Sequence, residues 1–464
     1  VSAQEIDSKE NLQYNKMINT PVWKLISTLA VPTIISMLVT SIYNMADTYF
    51  VSQLGTEASA AVGIMFPVMS IIQACGFTLG MGSSSIISRK LGERKNEEAS
   101  IFASSAFFTA FVIGLVVAVA GVSFTNEIMI LVGSSATILP FASRYAFVIF
   151  LGAPFMCASF VMNNVLRSEG KATFSMIALT SGSVLNLFLD PVFIFKLNLG
   201  ILGAAVATVI CQIISFSILL SWFLRKKAIC SLKLSYIWKK NKGEKNLSYW
   251  PVIVLVVSTG FPSLCRQGLS SISTILLNRT AVGYGDAAVA GMAIVTRVVM
   301  FIASVMIGIG QGFSPVSGYN FGAKRYDRVK EAFRFTVISS FILLSAFSAV
   351  IWMIAPKLVG AIRNDPAVIA VGAVALRYQL CLMPAHSIII STNMLMQSTG
   401  HVRNATFLSC NRQGLFFIPM ILILPTFMGI LGVEVAQTVA DFLSMLAAIP
   451  YFIWFFKKYG QKTV

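Results

Sequence analysis

The chain has 464 residues, 56% of them hydrophobic and only 11% charged, with a mean hydropathy of +0.79. A soluble domain carries about 25% charged residues, so this composition excludes a soluble globular protein and describes one that lives in a bilayer. The net charge of +17 would suggest a nucleic-acid partner in a soluble protein. Here the basic residues fall between apolar runs, where membrane topology and anionic lipid headgroups account for them, and no nucleic acid is implied.

Residues 1–20 are polar and mixed in charge, and read as a cytoplasmic segment without a cleavable signal. Apolar runs then predict membrane helices at 21–53, 57–89, 98–122, 136–166, 172–195 and 201–224. They resume at 249–279, 286–320, 332–356, 366–398, 403–427 and 430–456, twelve in all. The first run contains Asp47, a bare carboxylate in LAVPTIISMLVTSIYNMADTYFV. Such a charge costs several kcal/mol to insert, so it marks either a functional site or the water interface. The fifth run contains Asp190 in NLFLDPVFIF, with Asn186 on the same helical face. Tyr43 and Asn44 stand likewise one turn before Asp47. Pro191 leaves a backbone carbonyl free beside Asp190. Both helices run outward, which places the two acids at similar depth, and carboxylates with an amide and hydroxyls suit a proton or a sodium ion.

Alternate connections carry the lysines and arginines: Arg89 to Lys95, Arg167 and Lys171, Arg225 to Lys245, and Lys324 to Arg334. The opposite set is nearly bare, so the protein is predicted to be multi-pass in the cell membrane with both termini cytoplasmic. The only long polar connection, 226–248, divides two six-helix halves. At an offset of 230 residues the halves repeat: Pro32 meets Pro262, Gly55 meets Gly285, Gly80 and Gly82 meet Gly310 and Gly312, and Gly92 meets Gly322. Over 32–100 there are 13 identities in 69 positions, five of them Gly or Pro, which fix backbone shape. Pro154, Asn163, Ser168 and Gly170 repeat as Pro384, Asn393, Ser398 and Gly400. Halves of six helices enter from the same side, a parallel repeat that suits a transporter. The predicted layout is 1–20 as the N-terminal segment, 21–225 as an N-lobe, 226–248 as a cytoplasmic linker, 249–458 as a C-lobe and 459–464 as a tail. Pro32 is expected to mark a hinge in the first helix, and Pro262 the matching place in the seventh.

Asp47 maps to Leu277 and Asp190 to Met420, so the duplicated scaffold does not require these acids. The second half has its own charges in apolar runs: Arg266, Arg297, Arg377, Arg412, Glu434 and Asp441. Arg and acid at membrane depth usually pair, and Arg297 and Asp441, at comparable depth, are the expected partners. All seven cysteines but Cys230 lie in apolar segments and none forms C-x-x-C; with two histidines, disulfides and a zinc site are not expected. No phosphate-binding Gly-Lys loop, H-E-x-x-H or G-x-S-x-G is present, so no enzyme and no cofactor is expected.

The stretches VPTIISMLVTSIYNMADTYFVSQLG, GMGSSSIISRKLGERK, NVLRSEGKAT and LNLFLDPVFIF together resemble the multidrug and toxic compound extrusion (MATE) family, in its DinF-like branch. The resemblance implies an all-α membrane protein of two six-helix bundles in a V shape. It also implies monomeric antiport of drug-like, cationic small molecules against H+ or Na+ by alternating access. Residue by residue it implies a cation site at Asp47, Asn186, Asp190 and Thr208, and a substrate cavity lined by Thr40, Tyr43, Tyr145 and Asn163. The NorM-like pattern of a carboxy-lobe acidic site is not matched, since those helices carry Arg266 and Arg377. A lipid-linked oligosaccharide flippase of related fold is the alternative, and it would need a cationic cavity built from the second-half arginines.

Overall fold

A computed structural model of the protein describes residues 3–238 and 248–460. The middle of the predicted linker, 239–247, and the end of the predicted tail, 461–464, lie outside the described residues. The elements in chain order are α1 (Ala3–Asn19), α2 (Val22–Ser52), α3 (Thr56–Gly92), α4 (Asn96–Ser123), α5 (Thr125–Leu131), α6 (Leu139–Ser168), α7 (Ala172–Pro191) and α8 (Ile201–Leu224). They continue with α9 (Ser235–Trp238), α10 (Tyr249–Val282), α11 (Asp286–Gly322), α12 (Tyr326–Ile362), α13 (Pro366–Leu382), α14 (His386–Ser398), α15 (Val402–Cys410), α16 (Ile418–Met428) and α17 (Ile430–Gly460).

Among the described residues every helix or strand element is helical, and twelve spans are long and apolar enough to cross a membrane, as the sequence predicts. Helices close their own backbone hydrogen bonds, which hydrocarbon demands. Three spans depart from a plain α-helix. α7 runs into a π-helical turn, Val192–Lys196, directly after Pro191. α13 and α14 join through a 3-10 turn, Met383–Ala385, that holds Pro384. α15 and α16 join through a second π segment, Asn411–Phe417.

The repeat is visible in how helices end. Gly170 and Gly400, 230 residues apart, both take left-handed φ values (79° and 86°). Each lets the next amide reach back five residues, Lys171 to Leu166 and His401 to Met396, at 2.9 and 2.8 Å. That closure satisfies a carbonyl the helix would otherwise leave open, and glycine adopts it without a Cβ penalty. Arg94 and Lys324, again 230 apart, hold the same conformation after α3 and α11 without being glycine.

The chain forms two compact units: residues 1–18 with 35–264, and residues 19–34 with 265–464. The divisions fall at the end of α1, between Ile18 and Asn19, inside α2, between Ile34 and Ile35, and inside α10, between Leu264 and Cys265; the last two lie two residues beyond Pro32 and Pro262. In the first unit α6 is central, packed on α3, α4 and α8, with Tyr145, Phe150, Val161 and Leu166 fully buried. Its polar end is closed by α1, whose Gln13 donates to the Glu169 carbonyl at 2.7 Å and whose Glu10 accepts from Asn96. In the second unit α11 packs on α12, α13 and α14 around Met292, Val295, Met306, Leu344 and Leu376.

The repeated glycines mark close helix crossings within each unit. A Cβ on Gly82 would lie 2.1 Å from the Val256 carbonyl oxygen of α10, and one on Gly312 would lie 2.7 Å from the Ala30 backbone of α2.

Candidate functional site

Asp47 comes from the far end of α2, Asp190 and Asn186 from α7, and Thr208 from α8. All four lie in the first unit. Asp190, Asn186 and Thr208 are buried, and Asp47 is 9% exposed. The Asp47 and Asp190 carboxyls lie close enough to interact directly, Asn186 stands beside Asp190, and Tyr43 stands beside Thr208. Tyr145, fully buried on α6, lies close enough to both acids to feel their charge. Two ionised carboxylates have no donor to offer each other, so this contact calls for a shared proton or a cation between them.

The hydrogen-bond pattern makes the same demand. Asp47 Oδ1, both Asp190 oxygens, both polar atoms of the Asn186 amide and Thr208 Oγ1 make no hydrogen bond to another protein group. Buried polar atoms in folded proteins are nearly always paired, and leaving one unpaired costs about 1–3 kcal/mol. Six such atoms at one place form an oxygen-rich set, whose donor chemistry fits a proton or a hard monovalent cation.

Thr40 lies about two turns before Asp47 on α2 and donates to the Ser36 carbonyl of its own helix at 2.8 Å. Asn163 is not brought to the acids. It lies roughly 27 Å beyond Tyr145 along α6, where its oxygen accepts from Arg167, itself buried and 3.4 Å from Ser175. Pro32 lies inside a continuous α2, at the division between the units.

Asp441, on α17, does not pair with Arg297, which is exposed. Its Oδ1 accepts from Arg412 Nε at 2.7 Å and Gln437 Nε2 at 2.9 Å, and His386 Nε2 lies 3.0 Å from Oδ2. Arg412 belongs to the π segment Asn411–Phe417, whose wider turn swings it toward α17 in a way depth along the sequence cannot reveal. Arg377 rests on the Trp352 ring and carbonyl. Arg412 is neutralised by Asp441, which takes it out of the cationic cavity that the flippase alternative needs.

Glu169 is a residue that sequence reading missed. It is fully buried, accepts from the Ile229 and Cys230 amides at 2.9 and 2.8 Å, and pairs with Lys171 at 3.1 Å. Ser100 and Ser104 extend the same docking to Ser231 and Lys233. Burial, with the Glu169 carboxylate beside it, pushes the Cys230 thiol well above its ordinary range.

The sequence model of the MatE family matches residues 32–192 and 262–423, two copies that together cover most of the chain. The chain belongs to the MatE family. The match falls on the same repeat that relates Pro32 to Pro262. This MatE protein is 27% identical over 429 residues to the multidrug export protein MepA of Staphylococcus saprophyticus, covering 92% of this chain and 93% of that one. It is also similar to a MATE crystal structure in the straight conformation (TM-score 0.88, 26% identity) and to one in the bent conformation (TM-score 0.87, 25% identity). The former covers 96% of this chain and 98% of that one, and the latter 97% and 98%. The family is one of transporters, so the MatE chain needs no catalytic constellation and no cofactor.

Proposed function

We propose that this MatE protein is a secondary active multidrug exporter that moves amphipathic organic cations out of the cell in exchange for H+ or Na+. The observation that carries the reading is the buried pair Asp47–Asp190 with Asn186 and Thr208, six of whose oxygen and nitrogen atoms no protein group satisfies. Asn186 and Thr208 supply oxygens to a sodium ion, or hydrogen bonds to whichever carboxyl is protonated. A cationic drug, held against Tyr43, Tyr145 and Thr40, competes with the coupling ion for the same negative charge. Neither ligand is stable in the site beside the other, and that mutual exclusion is the coupling. The multidrug export named for the MepA relative supports the substrate class. Pro32, lacking an amide hydrogen bond at the division between the units, is assigned the hinge of α2.

Efflux of a fluorescent organic cation from energised vesicles tests the reading, with the proton and sodium gradients collapsed separately. One collapse should stop transport and so name the ion. Asp47→Asn and Asp190→Asn should each abolish gradient-driven efflux while the protein still inserts and folds. Wild-type pumping by either variant, with unchanged ion dependence, would overturn the site. Pro32→Ala should slow transport without weakening equilibrium drug binding.

A further inference from the structure

At one end of the second unit, the start of α2, the start of α12 and the end of α17 enclose a cavity of about 560 Å³. Its walls are aromatic: Trp23 from α2, Tyr326 and Phe335 from α12, and Phe456 and Tyr459 from α17. Lys330 and Arg334, one helical turn apart on α12, also line it. Neither makes an ion pair or hydrogen bond with another described residue. Two carboxylates share the wall. Asp327 is held by Arg325 at 3.1 Å, which leaves Glu331 facing two cations.

We propose that this pocket is a binding site for an anionic phospholipid of the leaflet at that end. The phosphodiester would sit between Lys330 and Arg334, and the first acyl carbons against Phe335, Phe456 and Trp23. Aromatic rings at the level of helix ends suit the boundary between headgroup and chain. Paired unbonded cations recognise a phosphate, the guanidinium through two parallel N–H bonds. A free phosphate would satisfy the cations but leave the aromatic wall uncovered, and this selects the lipid.

The test uses the full chain in phosphatidylcholine vesicles containing phosphatidylglycerol with brominated acyl chains, which quench tryptophan on contact. The difference between wild type and Trp23→Phe isolates the Trp23 signal. Trp23 should be half-quenched at a mole fraction of brominated phosphatidylglycerol about tenfold below that of brominated phosphatidylcholine, as two basic contacts imply. Lys330→Gln with Arg334→Gln should reduce that preference to at most about twofold. Both residues are exposed, so the variant should fold, and a symmetrical elution profile in detergent checks this. Equal quenching by the two lipids, or an undiminished preference in the double variant, would overturn the proposal. So would displacement of the lipid by millimolar inorganic phosphate. A preference seen only in a chain ending at Gly460 would also overturn it, because the chain's own last residues would then be the occupant.

Discussion

Asp441 accepts hydrogen bonds on both oxygens while lying 2% exposed, so its charge is held entirely by neighbours on other turns and helices. Asp441→Asn should therefore lower stability by about 3 kcal/mol, because Arg412 is left without its counter-charge. Adding Arg412→Gln should restore much of that loss, since removing both partners is milder than removing one; thermal unfolding in detergent measures both steps. Glu169→Gln should loosen residues 226–234 from the first unit. A glutamine has one acceptor oxygen where Glu169 uses two, so one of the Ile229 and Cys230 amides loses its partner, at about 1–3 kcal/mol. Limited proteolysis in that segment should speed up accordingly, and Cys230, protected from thiol reagents at neutral pH by its burial, should become reactive. The acids Asp47 and Asp190 were legible in the sequence because a carboxylate inside an apolar run is conspicuous. Glu169 was not, because its partners are backbone amides sixty residues downstream. His386 carries no signal in the sequence, because its partner Asp441 lies 55 residues downstream on α17.

At the scale of elements, the twelve spans were legible because hydrocarbon permits one answer to a long apolar run. The interruptions were less so. Pro191 and Pro384 announce theirs, whereas the π segment at Asn411–Phe417 contains no proline and follows from packing against α17. That one irregularity is why Arg412, and not Arg297, meets Asp441. The repeated glycines carried a signal whose meaning needed the partner helix. Gly82→Ala should cost about 2 kcal/mol, because the added methyl meets the Val256 carbonyl of a neighbouring helix and a backbone cannot move aside. Gly268→Ala, on the same type of long helix but with open space around it, should instead gain a few tenths to about 1 kcal/mol. Comparing the two thermal midpoints separates crowding from helix propensity.

For the whole molecule, the asymmetry of basic residues predicts which side each connection faces. A reporter that fluoresces only in the cytoplasm should light up when fused after Val464. It should stay dark when inserted at 428–429. A further consequence follows from where the chain passes between its compact units. It passes between them three times, once at the end of α1 and twice in the middle of continuous helices, within α2 and within α10, and not at 239–247. Cutting the chain at that polar stretch would thus give two fragments that have traded arms. The first would lend residues 19–34 to the second unit, and the second would lend 249–264 to the first. Each fragment alone would lack a strip of its own core, and each would hold the other's missing strip. Co-expressed, the two pieces should co-purify without any covalent join and recover drug efflux, whereas either piece alone should be degraded. The exchange of arms, more than the peptide connecting the halves, would then be what makes them one transporter.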